Sequence, residues 1–240
     1  MQLQKYLQEI GLDNRRNIRK FIREGLIKVN NKTVEDPKFD VDPNNDKFHF
    51  KGKLIKLKIQ KKVYFIFNKP VGVVSTLHDP QGRLSLKEFI KGIKFRIYPV
   101  GRLDYNSEGL MILTNDGEFT NYVLKPKNKI PKVYQVKIKG VLSDRIKEKM
   151  EKGFVLDGRR LMPFKLKFLR KTKHGNSWWM VTIFEGKKHI IRKVFKYSGY
   201  PVERLKRISI GNIRLKKLKP GYLRELTYQE VESFKKKYFE

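Results

Sequence analysis

The stretch that decides the fold is residues 98–117, which read YPVGRLDYNSEGLMILTNDG. An apolar run from Leu110 to Leu113 follows a loop that begins at Gly101, and the turn-forming sequence Asn115-Asp116-Gly117 comes after it. This order predicts a buried strand with a loop in front of it. The loop carries an isolated acidic side chain, Asp104, which is well placed to face a cleft. From spacing alone, the simpler interpretation of Asp104 is a turn residue that caps nearby backbone amides.

Strand patterns dominate the chain around this stretch. They cover residues 63–67, 110–114, 133–139, 161–169, 178–184 and 202–210, whereas helical patterns are fewer, at 84–90, 118–124, 143–151 and 189–198. The sequence Thr227-Tyr228-Gln229-Glu230 has capping-box spacing and predicts the start of a last helix. Because strands and helices do not alternate regularly, we expect residues 61–240 to form an α+β domain.

Residues 1–60 follow a different pattern and predict a small domain of their own. Two short amphipathic helix patterns, ended by Gly11 and Gly25, come first. Two alternating segments then flank Asn30-Asn31, which predicts a β-hairpin, and a further strand pair is predicted across Gly52. The boundary between the two domains is placed near residues 60–62, where charged residues separate two apolar runs.

The chain is strongly basic, with 56 Lys and Arg against 24 Asp and Glu and a net charge of +32. Such a charge favours a polyanionic partner, because neutralised phosphates release their counterions. A lysine-rich genomic composition is the first alternative explanation. An anionic membrane surface is the second, although no basic helix has a broad apolar face. The predicted second helix carries a strip of positive charge formed by Arg15, Arg16, Arg19, Lys20 and Arg23.

Composition and motifs exclude several classes of function. The chain has no cysteine, which excludes disulfides, zinc fingers, iron–sulfur clusters and thiol catalysis, and its 4 histidines are scattered, so no metal site is predicted. No apolar run approaches the length of a membrane span, and the amino terminus has no apolar core of signal-peptide length. We therefore expect a cytoplasmic protein. Phosphate-binding loops, dinucleotide-binding glycine motifs and nucleophile elbows are also lacking.

Four motifs, in order, resemble those of the RsuA/RluB family of RNA pseudouridine synthases. Residues 101–117 resemble the family signature, and residues 68–76 (NKPVGVVST) resemble the segment that opens its catalytic domain. Residues 132–136 (KVYQV) and 185–195 (EGKKHIIRKVF), the latter followed by 205–211, resemble its later motifs. Residues 1–60 are similar to the small RNA-binding fold named after ribosomal protein S4. The resemblance implies a small α/β RNA-binding domain followed by a mainly antiparallel, mixed-sheet catalytic domain.

The resemblance also implies roles for individual residues. Asp104 would be the catalytic carboxylate, Tyr134 would pack against the target uracil, and Arg192 would pair with the carboxylate. The reaction involves neither redox chemistry nor phosphoryl transfer, so no cofactor and no metal are expected. The basic residues expected to contact RNA lie in the small domain and in the motifs: Arg15, Arg16, Arg19, Lys20, Arg23, Lys28, Lys69, Arg102, Lys187, Lys188, Lys193 and Arg207.

The favoured interpretation is a monomeric enzyme that isomerises one uridine in structured ribosomal RNA within a pre-ribosomal particle. Arg192 and the strand that holds Trp178-Trp179 favour the large ribosomal subunit over the small one. A non-catalytic ribosome-assembly factor and a glycosylase that uses Asp104 are the alternatives. Two positions depart from the family pattern, Ile190, where a polar residue is usual, and Glu108, where small or uncharged residues are common.

Overall fold

The structure is a computed structural model that describes residues 1–56 and 58–239. The chain divides into two compact units, which are Met1–Lys62 with Lys94–Arg96, and Val63–Ile93 with Ile97–Glu240. The sequence places the boundary after residue 60. The first unit of the structure runs on to Lys62 and includes a short segment from much later in the chain.

The first unit combines two helices with a small antiparallel sheet in the order β2-β1-β3-β4. Its elements are α1 (Leu3–Glu9), α2 (Arg15–Arg23), β1 (Ile27–Val29), β2 (Lys32–Thr33), β3 (Phe48–Phe50) and β4 (Lys53–Leu54). Asn14 begins α2, because its side chain accepts a hydrogen bond from the Asn17 amide at 2.8 Å. Asn30 and Asn31 have φ angles of 49° and 66°, the left-handed backbone that a tight hairpin needs. The hairpin predicted at this pair is confirmed.

The second unit is built on a mixed sheet of nine strands. Its main path runs β11-β12-β8-β13-β7-β5-β15, with β14 beside β13 and β6 beside β7. Among the described strands every pairing is antiparallel except that of β13 with β7. The elements are β5 (Tyr64–Lys69), β6 (Tyr98–Pro99), β7 (Glu108–Thr114), α3 (Gly117–Leu124), β8 (Lys132–Ile138), α4 (Asp144–Glu151), β9 (Val155–Leu156), β10 (Arg159–Arg160), β11 (Lys165–Lys171), β12 (Ser177–Ile183), α5 (Ile190–Tyr197), β13 (Val202–Ile210), β14 (Ile213–Arg214), β15 (Leu223–Glu225) and α6 (Tyr228–Tyr238). The α+β class and the mainly antiparallel mixed sheet are as predicted.

Helices α3 and α6 cover one face of this sheet. Phe119 of α3 and Phe234 of α6 pack against each other with ring centroids 5.2 Å apart, and both belong to a cluster with Ile112 of β7. The predicted capping box is present, since Thr227 accepts from the Glu230 amide and the Glu230 side chain accepts from the Thr227 amide. The apolar core thus holds strand β7 in the middle of the sheet.

Two sequence-based predictions of secondary structure are wrong in detail. The helix expected at 84–90 is only a short 3-10 turn, Leu86–Phe89, because Ser85 forms a bridge with Val74 instead of capping a longer helix. The strand expected at 161–169 begins only at Lys165. Pro163 lies just before it and has no amide hydrogen to donate to a neighbouring strand.

The described part of the chain holds neither a helix that could span a membrane nor a group of three possible metal ligands. None of its helices is both long and apolar enough to cross a membrane. Within the same residues, no three His, Asp or Glu side chains are grouped so that they could hold a metal ion.

Candidate active site

The loop between β6 and β7 holds Asp104 through its main chain. The Ser75 hydroxyl donates to the Leu103 carbonyl at 2.6 Å and accepts from the Leu103 amide at 3.1 Å. The Gly72 amide donates to the Tyr105 carbonyl at 3.0 Å, and the Ser107 amide donates to the Asp104 carbonyl at 3.0 Å. The residues on both sides of Asp104 are therefore fixed, which positions its side chain at the surface with 28% of it exposed.

Two aspartates of the same motif do different work. Asp116 caps helix α3, because its Oδ1 accepts from the amides of Glu118 and Phe119, each at 3.0 Å. Among the described hydrogen bonds, no backbone amide donates to the Asp104 carboxylate, whose partner is His189 Nε2 at 3.2 Å. The capping contacts that spacing alone suggests for Asp104 are found at Asp116.

Asp104 lies at a cavity of about 250 Å³ in the second unit. Tyr134 of β8 also lines the cavity and is buried. The apolar part of the wall is formed by Val100, Leu103, Val123, Leu124, Ile183, Ile190, Ile191, Leu205 and Ile210. The charged and titratable groups around it are Arg102, Asp104, Lys132, Tyr134, Lys187, Lys188, His189 and Arg207. One carboxylate, one aromatic side chain and apolar walls suit a single flat base taken out of a nucleic-acid strand.

The parallel contact of β7 with β13 depends on Gly109. Its φ is +112°, and a Cβ built there would lie 2.6 Å from the backbone nitrogen of Arg207. Any larger residue would push the two strands apart. Since Asp104 precedes β7 and Arg207 lies on β13, this close approach brings both residues to one cavity.

Three basic side chains are buried in this part of the second unit. Lys69 donates to the carbonyls of Pro70 and Val73, each at 2.8 Å, and burial lowers its pKa to about 8 although the charges of Asp104 and Glu108 oppose the shift. Lys132 donates to the Ile130 carbonyl at 3.1 Å. Burial, with repulsion from Arg207, lowers the pKa of Lys132 to about 8. Arg207 donates through Nε to the Leu110 carbonyl at 2.7 Å.

Arg192 contacts main chain near the site. Its Nη2 donates to the Asn106 carbonyl at 2.7 Å and its Nη1 to the Val202 carbonyl at 3.2 Å. Burial lowers the pKa of the guanidinium, and the nearby charge of Asp104 opposes that shift. In the described ion pairs, however, the Asp104 carboxylate pairs with His189 and not with Arg192. Arg192 thus holds the end of the Asp104 loop rather than the carboxylate itself.

The basic residues predicted on α2 form one surface. Arg15, Arg16, Lys20 and Arg23 are exposed, and exposed Arg19 donates through Nε to Gln4 Oε1 at 2.8 Å. Lys20 pairs with Glu24 at 3.7 Å, a single helical turn away. Lys28, on β1, is exposed as well. This α2 face (Arg15, Arg16, Arg19, Lys20 and Arg23) therefore presents five basic side chains to solvent.

The basic residues predicted to contact RNA from the second unit fall into two groups. Arg102, Lys187 and Lys188 are exposed and line the cavity, and exposed Lys193 pairs with Asp157 at 3.0 Å. Lys69 and Arg207, in contrast, have 0% and 3% of their surface exposed. Burial excludes Lys69 from the phosphate-contacting role that the sequence predicts for it. Arg207 likewise offers no surface contact and belongs instead to the cavity wall.

Sequence reasoning did not assign a role to His189, Lys132 or Ser107, which all line the cavity. The burial of Lys132 could have been predicted from the sequence, because Lys132 lies two residues before Tyr134 on a strand in which buried positions alternate. His189 lies beside the motif that carries Arg192, but its contact with Asp104 joins residues far apart in the chain. Ile190, the first departure from the family pattern, is part of the apolar wall. Glu108, the second departure, is half-buried, and its negative charge partly opposes the lowering of the Lys69 pKa by burial.

Comparison with known proteins shows the family to which the chain is related. Residues 63–197 match the model of the RNA pseudouridylate synthase family, and residues 1–46 match that of the S4 domain. An uncharacterized RNA pseudouridine synthase of Aquifex aeolicus is 40% identical over 232 residues, which cover 96% of this chain and 92% of the relative. The ribosomal large subunit pseudouridine synthase B of Bacillus subtilis is 38% identical over 231 residues, covering 96% and 93%.

A solved structure extends the likeness to the fold. A crystal structure of a pseudouridylate synthase aligns with a TM-score of 0.68 and 27% identity, covering 98% of this chain and 99% of the other. The matched family segment contains Asp104, Tyr134 and Arg192, and it ends with helix α5. With the family model spanning more than half of the sequence and relatives matched along almost all of it, this chain belongs to the RNA pseudouridylate synthase family and is an isomerase that acts on RNA.

Proposed function

We propose that this enzyme converts a specific uridine of large-subunit ribosomal RNA to pseudouridine, with Asp104 as the reacting carboxylate. The observation that carries the proposal is the position of Asp104 on a firmly held loop, at a cavity that buried Tyr134 also lines. The choice of RNA is supported by the relative from Bacillus subtilis, whose name specifies the ribosomal large subunit. We expect the enzyme to act in the cytoplasm on pre-ribosomal particles.

The isomerisation of uridine can be carried out with a carboxylate and an aromatic side chain, which here are Asp104 and Tyr134. The bond between C1′ of the ribose and N1 of uracil breaks, the base turns, and C5 bonds to C1′. The hydrogen on C5 is lost as a proton and N1 gains one, so no electrons enter or leave. A carboxylate can form and release a covalent bond to the nucleoside or take up a proton. Tyr134 gives the extruded base an aromatic face to pack against.

The charge distribution supports a large structured RNA. The α2 face offers positive charge in the first unit, and Arg102, Lys187 and Lys188 offer it at the rim of the cavity. Such side chains bind phosphates without reading sequence, so they would hold the RNA while the cavity selects a base.

Product analysis on purified RNA tests the proposal. We expect the protein to form pseudouridine at one position of deproteinised large-subunit ribosomal RNA, and the Asp104→Asn variant to form none. Release of free uracil would instead indicate a glycosylase. Tight binding of RNA without either product would indicate an assembly factor. Pseudouridine that appears only in small-subunit RNA would overturn the choice of substrate but not the chemistry.

A further inference from the structure

Lys132 and Arg207 are buried in the cavity wall without a negative partner. They are 7% and 3% exposed, and in the described part of the chain no carboxylate lies within ion-pair distance of either group. Each donates to a single backbone carbonyl, of Ile130 and Leu110 respectively. Taking a cation out of water is costly unless an opposite charge or several hydrogen bonds compensate for it. The cost of burying these two is therefore only partly offset by the fold.

Arg207 leaves donor capacity unused. Its Nη2 is buried and has no hydrogen-bond partner among the described residues. The hydroxyl of Ser107, which lines the same cavity, is also buried and has no hydrogen-bond partner among the described residues. Lys69 provides a contrast, because its ammonium is equally buried but donates to two carbonyls and does not line the cavity. The uncompensated positive charge is thus concentrated at the cavity.

We propose that Lys132 and Arg207 form a cationic floor that stabilises the negative charge developing on uracil as its bond to the ribose is broken. This inference rests on the proposed isomerisation at Asp104. When the C1′–N1 bond breaks, its electron pair stays with the base and spreads over N1, O2 and O4. If the Asp104 carboxylate adds to the base ring first, negative charge again develops on the uracil oxygens. Fixed positive charge in a water-poor site stabilises such an anion strongly.

The remaining charged groups around the cavity do not supply the same effect. Arg102, Lys187, Lys188 and His189 are exposed, so water screens their charges, and Lys187 is paired with Glu185 at 3.1 Å. Asp104 is the one carboxylate among the described residues that line it. Arg207, on the neighbouring strand, is the charged group that acts on Lys132. Lys132 and Arg207 therefore carry the positive charges that water screens least, and these charges act most strongly on a base in the cavity.

Variants at Lys132 test the floor through a single-turnover assay of pseudouridine formation. Lys132→Met keeps an unbranched side chain that is one atom shorter and removes its charge, and we expect it to slow the reaction about 100-fold while RNA affinity stays unchanged. Lys132→Arg should restore most of the rate. The pKa of Lys132 near 8 adds a second readout. The wild-type rate should fall as pH rises through this value, because the ammonium then loses its proton, and Lys132→Arg should remove that fall.

Lys69→Met is the matched control. It removes an equally buried ammonium whose pKa is also about 8 but which does not line the cavity. We expect a lower melting temperature and an unchanged alkaline fall of the rate.

The outcomes separate this inference from the proposed function. A wild-type rate in Lys132→Met, or a wild-type alkaline fall in Lys132→Arg, would overturn the floor while leaving the isomerase intact. If Lys132→Met fails to fold, the pH profile of Lys132→Arg decides alone. A wild-type protein that forms no pseudouridine would overturn both.

Discussion

The Ser75 hydroxyl holds both polar atoms of the Leu103 backbone. It donates to the carbonyl at 2.6 Å and accepts from the amide at 3.1 Å, and all of these groups are buried. A single side chain from the segment after β5 thereby fixes the residue that immediately precedes Asp104. The direction of the carboxylate that we propose as the reacting group thus depends on a residue that has no part in the proposed chemistry.

Replacement of Ser75 by Ala should misplace the Asp104 loop. Two buried backbone groups lose their partner, which costs about 1–3 kcal/mol of stability. We expect kcat to fall roughly 10-fold or more with little change in KM, because a small displacement of a reacting group is enough to slow chemistry. Steady-state kinetics and a thermal melt measure the two effects.

Thr76→Ala is the control for Ser75→Ala. It removes the adjacent hydroxyl, which among the described residues bonds to the backbone of His78 and not to Leu103. Its kcat should match that of the wild type. If Ser75→Ala also kept a wild-type kcat, the loop would not need this anchor.

Replacement of Asp104 by Asn should abolish pseudouridine formation. The amide keeps the shape of the carboxylate but can act neither as nucleophile nor as base. RNA affinity should stay within a few-fold of the wild type, because the basic surfaces are unchanged. Product analysis and a filter-binding titration on the same preparation measure both quantities.

Asp116→Ala is the control for Asp104→Asn, because it should lower stability and leave turnover intact. It removes the cap of α3 and the acceptor of the buried Tyr64 hydroxyl, which together should cost about 2–4 kcal/mol of stability while turnover per folded molecule persists. Measurable turnover by purified Asp104→Asn, free of wild-type enzyme, would rule out Asp104 as the reacting group.

The alternating strands show how much of the site could be predicted from the sequence. In β8 the buried positions are Lys132, Tyr134, Val136 and Ile138, a strict alternation. In β13 the same rule buries Leu205, Arg207 and Ser209. Applying that register to the basic residues would have placed Lys132 and Arg207 inside the protein. Their burial is not predicted in the sequence analysis, because basic residues are normally expected at the surface.

Contacts between distant segments could not be predicted in this way. Ser75 and Leu103 are 28 residues apart, and Arg192 and Asn106 are 86 apart. Such contacts follow from the order of strands in the sheet, in particular from β13 lying between β8 and β7, which come much earlier in the chain. A family motif names the residues, but the strand order decides which of them meet. For this reason Arg192 was expected on the carboxylate of Asp104 and is found on the carbonyl of Asn106.

Arg192→Gln should lower turnover without changing how RNA affinity depends on salt. The guanidinium joins the Asn106 and Val202 carbonyls, so its loss frees the end of the Asp104 loop but leaves every phosphate-binding side chain in place. Arg192→Lys should rescue turnover only in part, because an ammonium cannot reproduce the planar fork of donors. Turnover and binding measured over a range of salt concentrations separate the two roles. A variant that turned over normally but bound RNA more weakly would assign Arg192 to phosphate binding instead.

The α2 face should contribute to RNA binding through its charge alone. Arg15, Arg16 and Arg23 are exposed, and they are better targets than Arg19, whose Nε already bonds to Gln4. Replacing these three with Gln should weaken binding to all structured RNAs alike. The slope of log affinity against log salt concentration should become shallower by about 0.7–0.9 for each phosphate that is no longer neutralised. The rate of a single turnover at saturating enzyme should not change, because the cavity is untouched.

A charge-matched variant makes this last comparison specific. Lys165, Lys167 and Lys171 are exposed on strand β11, and replacing them with Gln removes the same number of charges. If binding depended only on net charge, both triple variants would lose affinity and salt dependence equally. We expect a clear effect from the α2 face and a small one from β11, since condensed counterions are released only where cations contact phosphates. Equal effects, or an unchanged slope in the α2 variant, would show that the α2 face does not bind RNA.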